Sequence, residues 1–236
     1  GGTIKLDGNY PTGTNNVALG DIALADGSLS GGNNTAIGRS SLYSNTSGAS
    51  NTGIGSGALE NNTTAANNTA VGYHSLLANT TGTGLVAVGM NALSANTTAD
   101  DNTALGKGTL GVNTTGASNT GLGRGALGSN TTASNNTAVG SSALTANTTG
   151  GTNVAIGSLC LDANTTGQNN VAAGVHALGA NTTADNNTGI GHNALKENTT
   201  GTQNTAVGSL ALDVNTTANN NTAVGYAALS TNTTGD

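Results

Sequence analysis

The stretch Asn68-Thr69-Ala70-Val71-Gly72-Tyr73-His74-Ser75-Leu76-Leu77-Ala78-Asn79-Thr80-Thr81 decides the fold, because nearly every other segment of the chain is a copy of it. Its glycine recurs at positions 20, 38, 55, 72 and onward to 225, with a step of 17 residues after a first step of 18. Self-similarity at a fixed period marks an array of stacked coils, each of which buries its apolar side only against its neighbours. Four residues after every one of these glycines stands leucine, through Leu24, Leu42, Leu59 and on to Leu229. An unbroken apolar column at one register position is the expected interior, and Leu76, Leu93, Leu110, Leu127 and Leu144 are assigned to it.

The residue just before the glycine is apolar too, Val71 in the quoted unit and Ile54 or Leu105 in others, with Ala173 the one small case. Two positions earlier stands Thr or Val, as at Thr35 and Val86. Such alternation reads as a strand with one side turned inward, so Val71 is expected in the core beside the leucines. The residue between them, Ala70 here and Gly53 or Gly121 elsewhere, never exceeds alanine, and the residue before each leucine (Ser75, Ala92, Thr109, Cys160) is small as well. Faces restricted in this way imply close approach of another surface. A second copy of the chain is the simplest candidate, and identical chains usually close with cyclic symmetry. The corners fall to Asn68, Gly72 and Asn79. Asparagine tolerates the left-handed conformation and bonds its own backbone, stacked amides can bond along the array as in cross-β ladders, and glycine supplies a sharp turn. Each coil is then two short strands and two turns, and β-branched residues, Gly and Asn all disfavour helix.

Composition excludes several classes. Phe and Trp are absent, Gly numbers 38 and only 7% of residues are charged, so a conventional globular core of large side chains cannot be built. The regular apolar punctuation argues against disorder. Net charge is −6 and the five basic residues are scattered, which argues against nucleic acid, whose phosphates need clustered Lys and Arg. No apolar run approaches the roughly 20 residues of a membrane helix, so no membrane insertion is expected of this segment. One cysteine, Cys160, rules out an intrachain disulfide. The array occupies residues 16–236 as thirteen coils, while residues 1–15 read as an N-terminal cap or the end of an upstream domain, with a strand-like Thr3-Ile4-Lys5-Leu6 and turn chemistry from Asp7 to Gly13. The chain starts at Gly1 rather than Met and its array stops inside a repeat, so it is expected to be a piece of something longer.

The Asn-Thr-Ala-Val-Gly and Asn-Val-Ala-Ile-Gly cores, Asn68 to Gly72 and Asn153 to Gly157, each followed by a small residue and Leu, resemble the head repeats of YadA-like trimeric autotransporter adhesins. Similar repeats occur in phage tail fibres. The resemblance covers residues 14–236, with a longer period whose added residues fall in the Asn-Thr-Thr-Gly segment. It implies a left-handed parallel β-roll, three of which form a homotrimer in a surface fibre that binds host protein or glycan. The implied location is extracellular, on a bacterial cell or as a virion tail fibre. A passive stalk is the alternative function. Ice binding is weaker, since the recurring Thr is expected to point inward beside Val or to lie in a turn.

Candidate chemistry is sparse. His74, His176 and His192 lie on separate coils, and no Ser-His-Asp spacing, phosphate loop or paired carboxylate recurs. No enzyme, cofactor or metal is expected. The Asp100-Asp101 pair reads as a solvated turn. Asn-x-Thr triplets are formally glycosylation acceptors. They would carry a sugar coat in a eukaryotic secretory product and are corners in a bacterial or phage fibre, where sugar on every coil would crowd a column spaced at about 4.8 Å. Specificity is expected in the variable column after the glycine, where Arg39, Tyr73, Met90, Lys107, Arg124, His192 and Tyr226 alternate with serine; an exposed aromatic or Arg on a rigid scaffold is a usable contact.

Overall fold

The computed structural model describes residues 14–26 and 28–235, so the expectations for Thr3 to Leu6 and Asp7 to Gly13 lie outside the described residues. The chain divides into two compact units, Gly1–Ala117 and Ser118–Asp236. The first holds β1 (Val17–Leu19), β2 (Thr35–Ile37), β3 (Thr52–Ile54), β4 (Thr69–Val71), β5 (Val86–Val88) and β6 (Thr103–Leu105). The second holds β7 (Thr120–Leu122), β8 (Thr137–Val139), β9 (Val154–Ile156), β10 (Val171–Ala173), β11 (Thr188–Ile190), β12 (Thr205–Val207) and β13 (Thr222–Val224). Within each unit every strand pairs in parallel with its sequence neighbour in an unslipped register, as in Thr69↔Val86, Ala70↔Ala87 and Val71↔Val88. The fold is therefore an all-β solenoid of 17-residue coils, and no helix occurs among the described residues.

Each coil carries one strand rather than the two expected. The segment after the glycine follows a different course, because residues such as His74 (φ 53) and Leu76 (φ 51) adopt the left-handed conformation. That segment still bonds coil to coil: His74 N–H donates to the Ser56 carbonyl at 3.0 Å and Leu76 N–H to the Ala92 carbonyl at 3.0 Å. Left-handed backbone is costly for large aliphatic residues, yet it recurs at the leucine of each coil, where it aims the side chain inward. Leu76, Leu93, Leu110, Leu127 and Leu144 are fully buried, as the repeat predicts.

Val71 corrects the expectation. It is half-exposed, whereas Ala70 and Ser75 beside it are fully buried. The strand thus turns its small central residue inward and its Thr/Val and Ile/Val/Leu flanks outward. The coil is too narrow for the reverse. A Cβ added to Gly53 would lie 2.5 Å from Ser41 Oγ, 3.2 Å from the Ala58 carbonyl oxygen and 3.5 Å from Leu42 Cγ, so the space opposite the leucine admits only a small residue. The small-residue columns reflect the coil's own interior, and the close approach of another chain does not follow from them.

Two columns of fully buried asparagine close the corners. Asn68 Nδ2 donates to the Gly82 carbonyl at 2.8 Å, its Oδ1 accepts the Leu85 N–H at 2.9 Å, and its own N–H donates to Asn51 Oδ1 at 3.0 Å. Asn79 Nδ2 donates to the Gly82 carbonyl at 2.9 Å and to Asn62 Oδ1 at 3.2 Å, while its Oδ1 accepts Asn96 Nδ2 at 3.0 Å. The expected amide ladder is present. It works by satisfying backbone groups that the turns would otherwise leave buried and unpaired, and the left-handed corner residue is the one before, Asn67 (φ 61).

Candidate functional site

The outward side of the strands presents two columns. One is Thr or Val, the other Ile, Val or Leu with Ala173 the one small case, and both repeat from coil to coil within each unit because the register is unslipped. Exposure is substantial for side chains of this kind: Ile54 37%, Val86 39% and Leu105 44% in the first unit, Leu122 41%, Ile156 47% and Ile190 41% in the second. Isolated exposed apolar residues are ordinary, but contiguous apolar surface marks an interaction site. Sequence reasoning missed this face by assigning its residues to the interior. The outward threonines also overturn the expectation that Thr points inward, although valine interrupts their column at Val17, Val86, Val154 and Val171.

The variable column lies two residues beyond the apolar one, past a glycine whose φ near +130° swings the chain around the corner; at Gly89 φ is 132°. Arg39, Tyr73, Met90 and Lys107 are exposed in the first unit, and Arg124, His192 and Tyr226 in the second. Arg39, Lys107 and Arg124 make no salt bridge to any described residue, so their charges are open to a partner. Tyr73 stacks on His74 with ring centroids 3.7 Å apart and planes 22° apart, which fixes the phenol in place. These side chains stand exposed on separate coils within each unit, where they can touch a partner.

One depression of about 230 Å³ lies in the second unit, lined by Asp162, His176, Gly179, Ala180, Lys196 and Glu197. Burial pushes the Asp162 carboxyl above the usual carboxylate range, partly offset by its own backbone and by attraction to His176. Lys196 Nζ already pairs with Glu197 Oε1 at 2.8 Å, an exposed contact of small energetic weight. Among the described residues, no group of three or more His, Cys, Asp or Glu side chains could hold a metal. Nor is any helix long and apolar enough to cross a membrane.

Cys160 takes the place of alanine in the small inward column and is fully buried. Burial pushes its thiol up to about 12, and the thiolate is the reactive form. A maleimide at pH 7 is accordingly expected to label Cys160 only after denaturation; rapid stoichiometric labelling of the native protein would contradict the burial.

Comparison of the chain with protein-family models, characterised proteins and solved structures finds no match. The functional reading rests on the surface itself.

Proposed function

We propose that the chain is a segment of an extracellular fibre that assembles as a homotrimer and attaches to host protein or glycan through its variable corner column. The observation that carries this is the outward apolar face, repeated along both units with Ala173 its one small member, on a chain whose other exposed positions are largely Asn, Thr, Ser and Gly. Water-exposed Ile, Val and Leu are stabilised by burial at about 25 cal/mol per Å², and identical faces on identical chains cover one another through closed symmetry. A parallel cyclic trimer keeps all chains pointing the same way, as a fibre requires, and leaves Arg39, Tyr73 and Lys107 at the rim. A cell surface and a virion tail fibre both fit this reading.

A passive stalk is the second reading, favoured by the serines that fill the variable column at Ser141, Ser158 and Ser209. Deleting whole 17-residue coils separates the two: a stalk loses reach with unchanged affinity, an adhesive segment loses binding to host cells or matrix. Assembly has its own test in light scattering, where a particle three times the 22.5 kDa chain is expected. Ile54→Asp combined with Val88→Asp should reduce the particle to one chain and leave the β-type circular dichroism intact, because both positions are outward. A monomeric wild-type protein would overturn the trimer.

A further inference from the structure

The fold sorts the chain's many Asn-x-Thr triplets into two classes that the sequence alone leaves equivalent. In the Asn-Thr-Thr column, amides such as those of Asn62, Asn79, Asn96 and Asn147 are fully buried and bonded to the neighbouring coil and to their own turn. A transferase cannot reach them in the folded chain. The Asn-Asn-Thr triplets behave oppositely. Their first asparagine, at 33, 67, 135, 186 and 220, is exposed at a left-handed corner with φ between 59° and 62°. The backbone N–H is held by the preceding coil, as in Asn67 to the Ala49 carbonyl at 3.1 Å and Asn186 to the Gln168 carbonyl at 3.1 Å. The side-chain amides of Asn67, Asn135, Asn186 and Asn220 have no hydrogen-bond partner among the described residues.

The spacing of these acceptors carries the inference further. The same exposed column holds asparagine at seven positions, 15, 33, 67, 135, 169, 186 and 220, and only two pairs of these, Asn15 with Asn33 and Asn169 with Asn186, fall on adjacent coils. In both pairs one member has lost the threonine, since Val17 follows Asn15 and Val171 follows Asn169 at the required position. Acceptor triplets of this column within a unit are therefore never closer than two coils, about 10 Å at the usual strand spacing. Crowding would forbid sugar on neighbouring coils, and this arrangement avoids it.

We propose that Asn33, Asn67, Asn135, Asn186 and Asn220 are acceptor sites for an Asn-linked sugar on the folded protein. The reaction is transfer of a hexose from a nucleoside diphosphate donor by an N-glycosyltransferase that requires Asn-x-Ser/Thr. The bond from the anomeric carbon to the amide nitrogen forms and the bond from that carbon to the phosphate oxygen breaks. The nucleoside diphosphate leaves with the electron pair, and the amide proton passes to the transferase. Asn61, exposed ahead of Asn62 and Thr63 on another corner, lacks the left-handed backbone but carries the same triplet on an exposed asparagine, and is included.

The test incubates native protein with a soluble N-glycosyltransferase and uridine diphosphate glucose, followed by peptide mapping. Hexose is expected on these six asparagines and on none of the buried Asn-Thr-Thr column from Asn62 to Asn215. Unmodified corners in the native protein, alongside full modification of a free Asn-Asn-Thr peptide, would overturn the proposal, and so would hexose on Asn79 or Asn147. Val171→Thr examines the spacing. It creates a triplet at Asn169 beside Asn186, and any one molecule is expected to carry sugar on one of the two but not both; full double occupancy would refute the crowding on which the inference depends.

Discussion

Replacing Asn79 by alanine is expected to lower the stability of the coils around it by about 1–3 kcal/mol. The wild-type amide is fully buried, donates to the Gly82 carbonyl and to Asn62 Oδ1, and accepts from Asn96 Nδ2. Alanine leaves the Asn62 oxygen without its donor in a place water does not reach, at about 1–3 kcal/mol for the orphaned group, while the Gly82 carbonyl loses one of its two donors and keeps Asn68 Nδ2 at 2.8 Å. Because stability in a repeat array is a sum of unit and interface terms, the loss is local, and two coils that no longer bond act as a break in the stack. Native-state hydrogen exchange at the Asn62, Asn79 and Asn96 corners should report it, with Asn67→Ala at the adjacent exposed corner changing exchange little. Asn79→Asp adds a pH signature. A buried carboxyl has its folded pKa raised, whereas in the unfolded chain it titrates near 3.9. The folded state then holds the proton more tightly, so stability is greatest below about pH 4 and declines as the pH rises. Only the protonated acid can donate a hydrogen bond in place of the amide. Equal protection in the alanine variant and the wild type would show that the ladder contributes little.

The asparagine ladder and the leucine column were legible in the sequence because both residue types are nearly invariant at their register positions, and invariance in a repeat reports an environment that is the same in every coil. Asn79 and Leu93 each face such an environment. The sense of the strand was not legible in the same way. Alternation in Thr69-Ala70-Val71 says that two sides differ without saying which is inside, and hydrophobicity favoured Val71. The deciding fact is the width of the coil, set by leucines that reach across it, as Leu42 does to Gly53 and Leu178 to Gly189, leaving room only for a small residue there. Left-handed backbone at Leu76 and His74 had no signal either, since local preference puts large residues at negative φ and only the closure of a short coil imposes the reverse. The exposure of the variable column was legible through its variability: Arg39, Tyr73, Met90 and Lys107 differ because solvent, not packing, surrounds them. The two kinds of Asn-x-Thr triplet were not separable, because burial depends on which corner an asparagine occupies, and both corners favour asparagine.

Gly89→Ala is expected to be among the most damaging single-methyl changes available to this chain, while the same change at Gly108 should be mild. Gly89 sits at φ 132°, and a Cβ there would lie 2.6 Å from the Gly106 carbonyl oxygen and 2.7 Å from its carbon. Both are backbone atoms of the next coil, and they cannot rotate away. The methyl meets two obstacles at once, a conformation nearly closed to residues with a Cβ and a stacking distance fixed by the hydrogen bonds between coils, such as Gly106 N–H to the Val88 carbonyl at 2.8 Å. To relieve the contact, the coils must part and give up such bonds, so a local loss of about 4 kcal/mol or more is expected. Gly108 supplies the internal comparison. Its φ of 65° lies in the ordinary left-handed region and nothing stands within 4 Å of an added Cβ, so only the intrinsic conformational cost of about 1–2 kcal/mol applies. The contrast can be read from thermal unfolding together with exchange protection at Gly89 and Gly106. If the two variants melt alike, the close stacking of the glycine column is not what holds successive coils at their spacing.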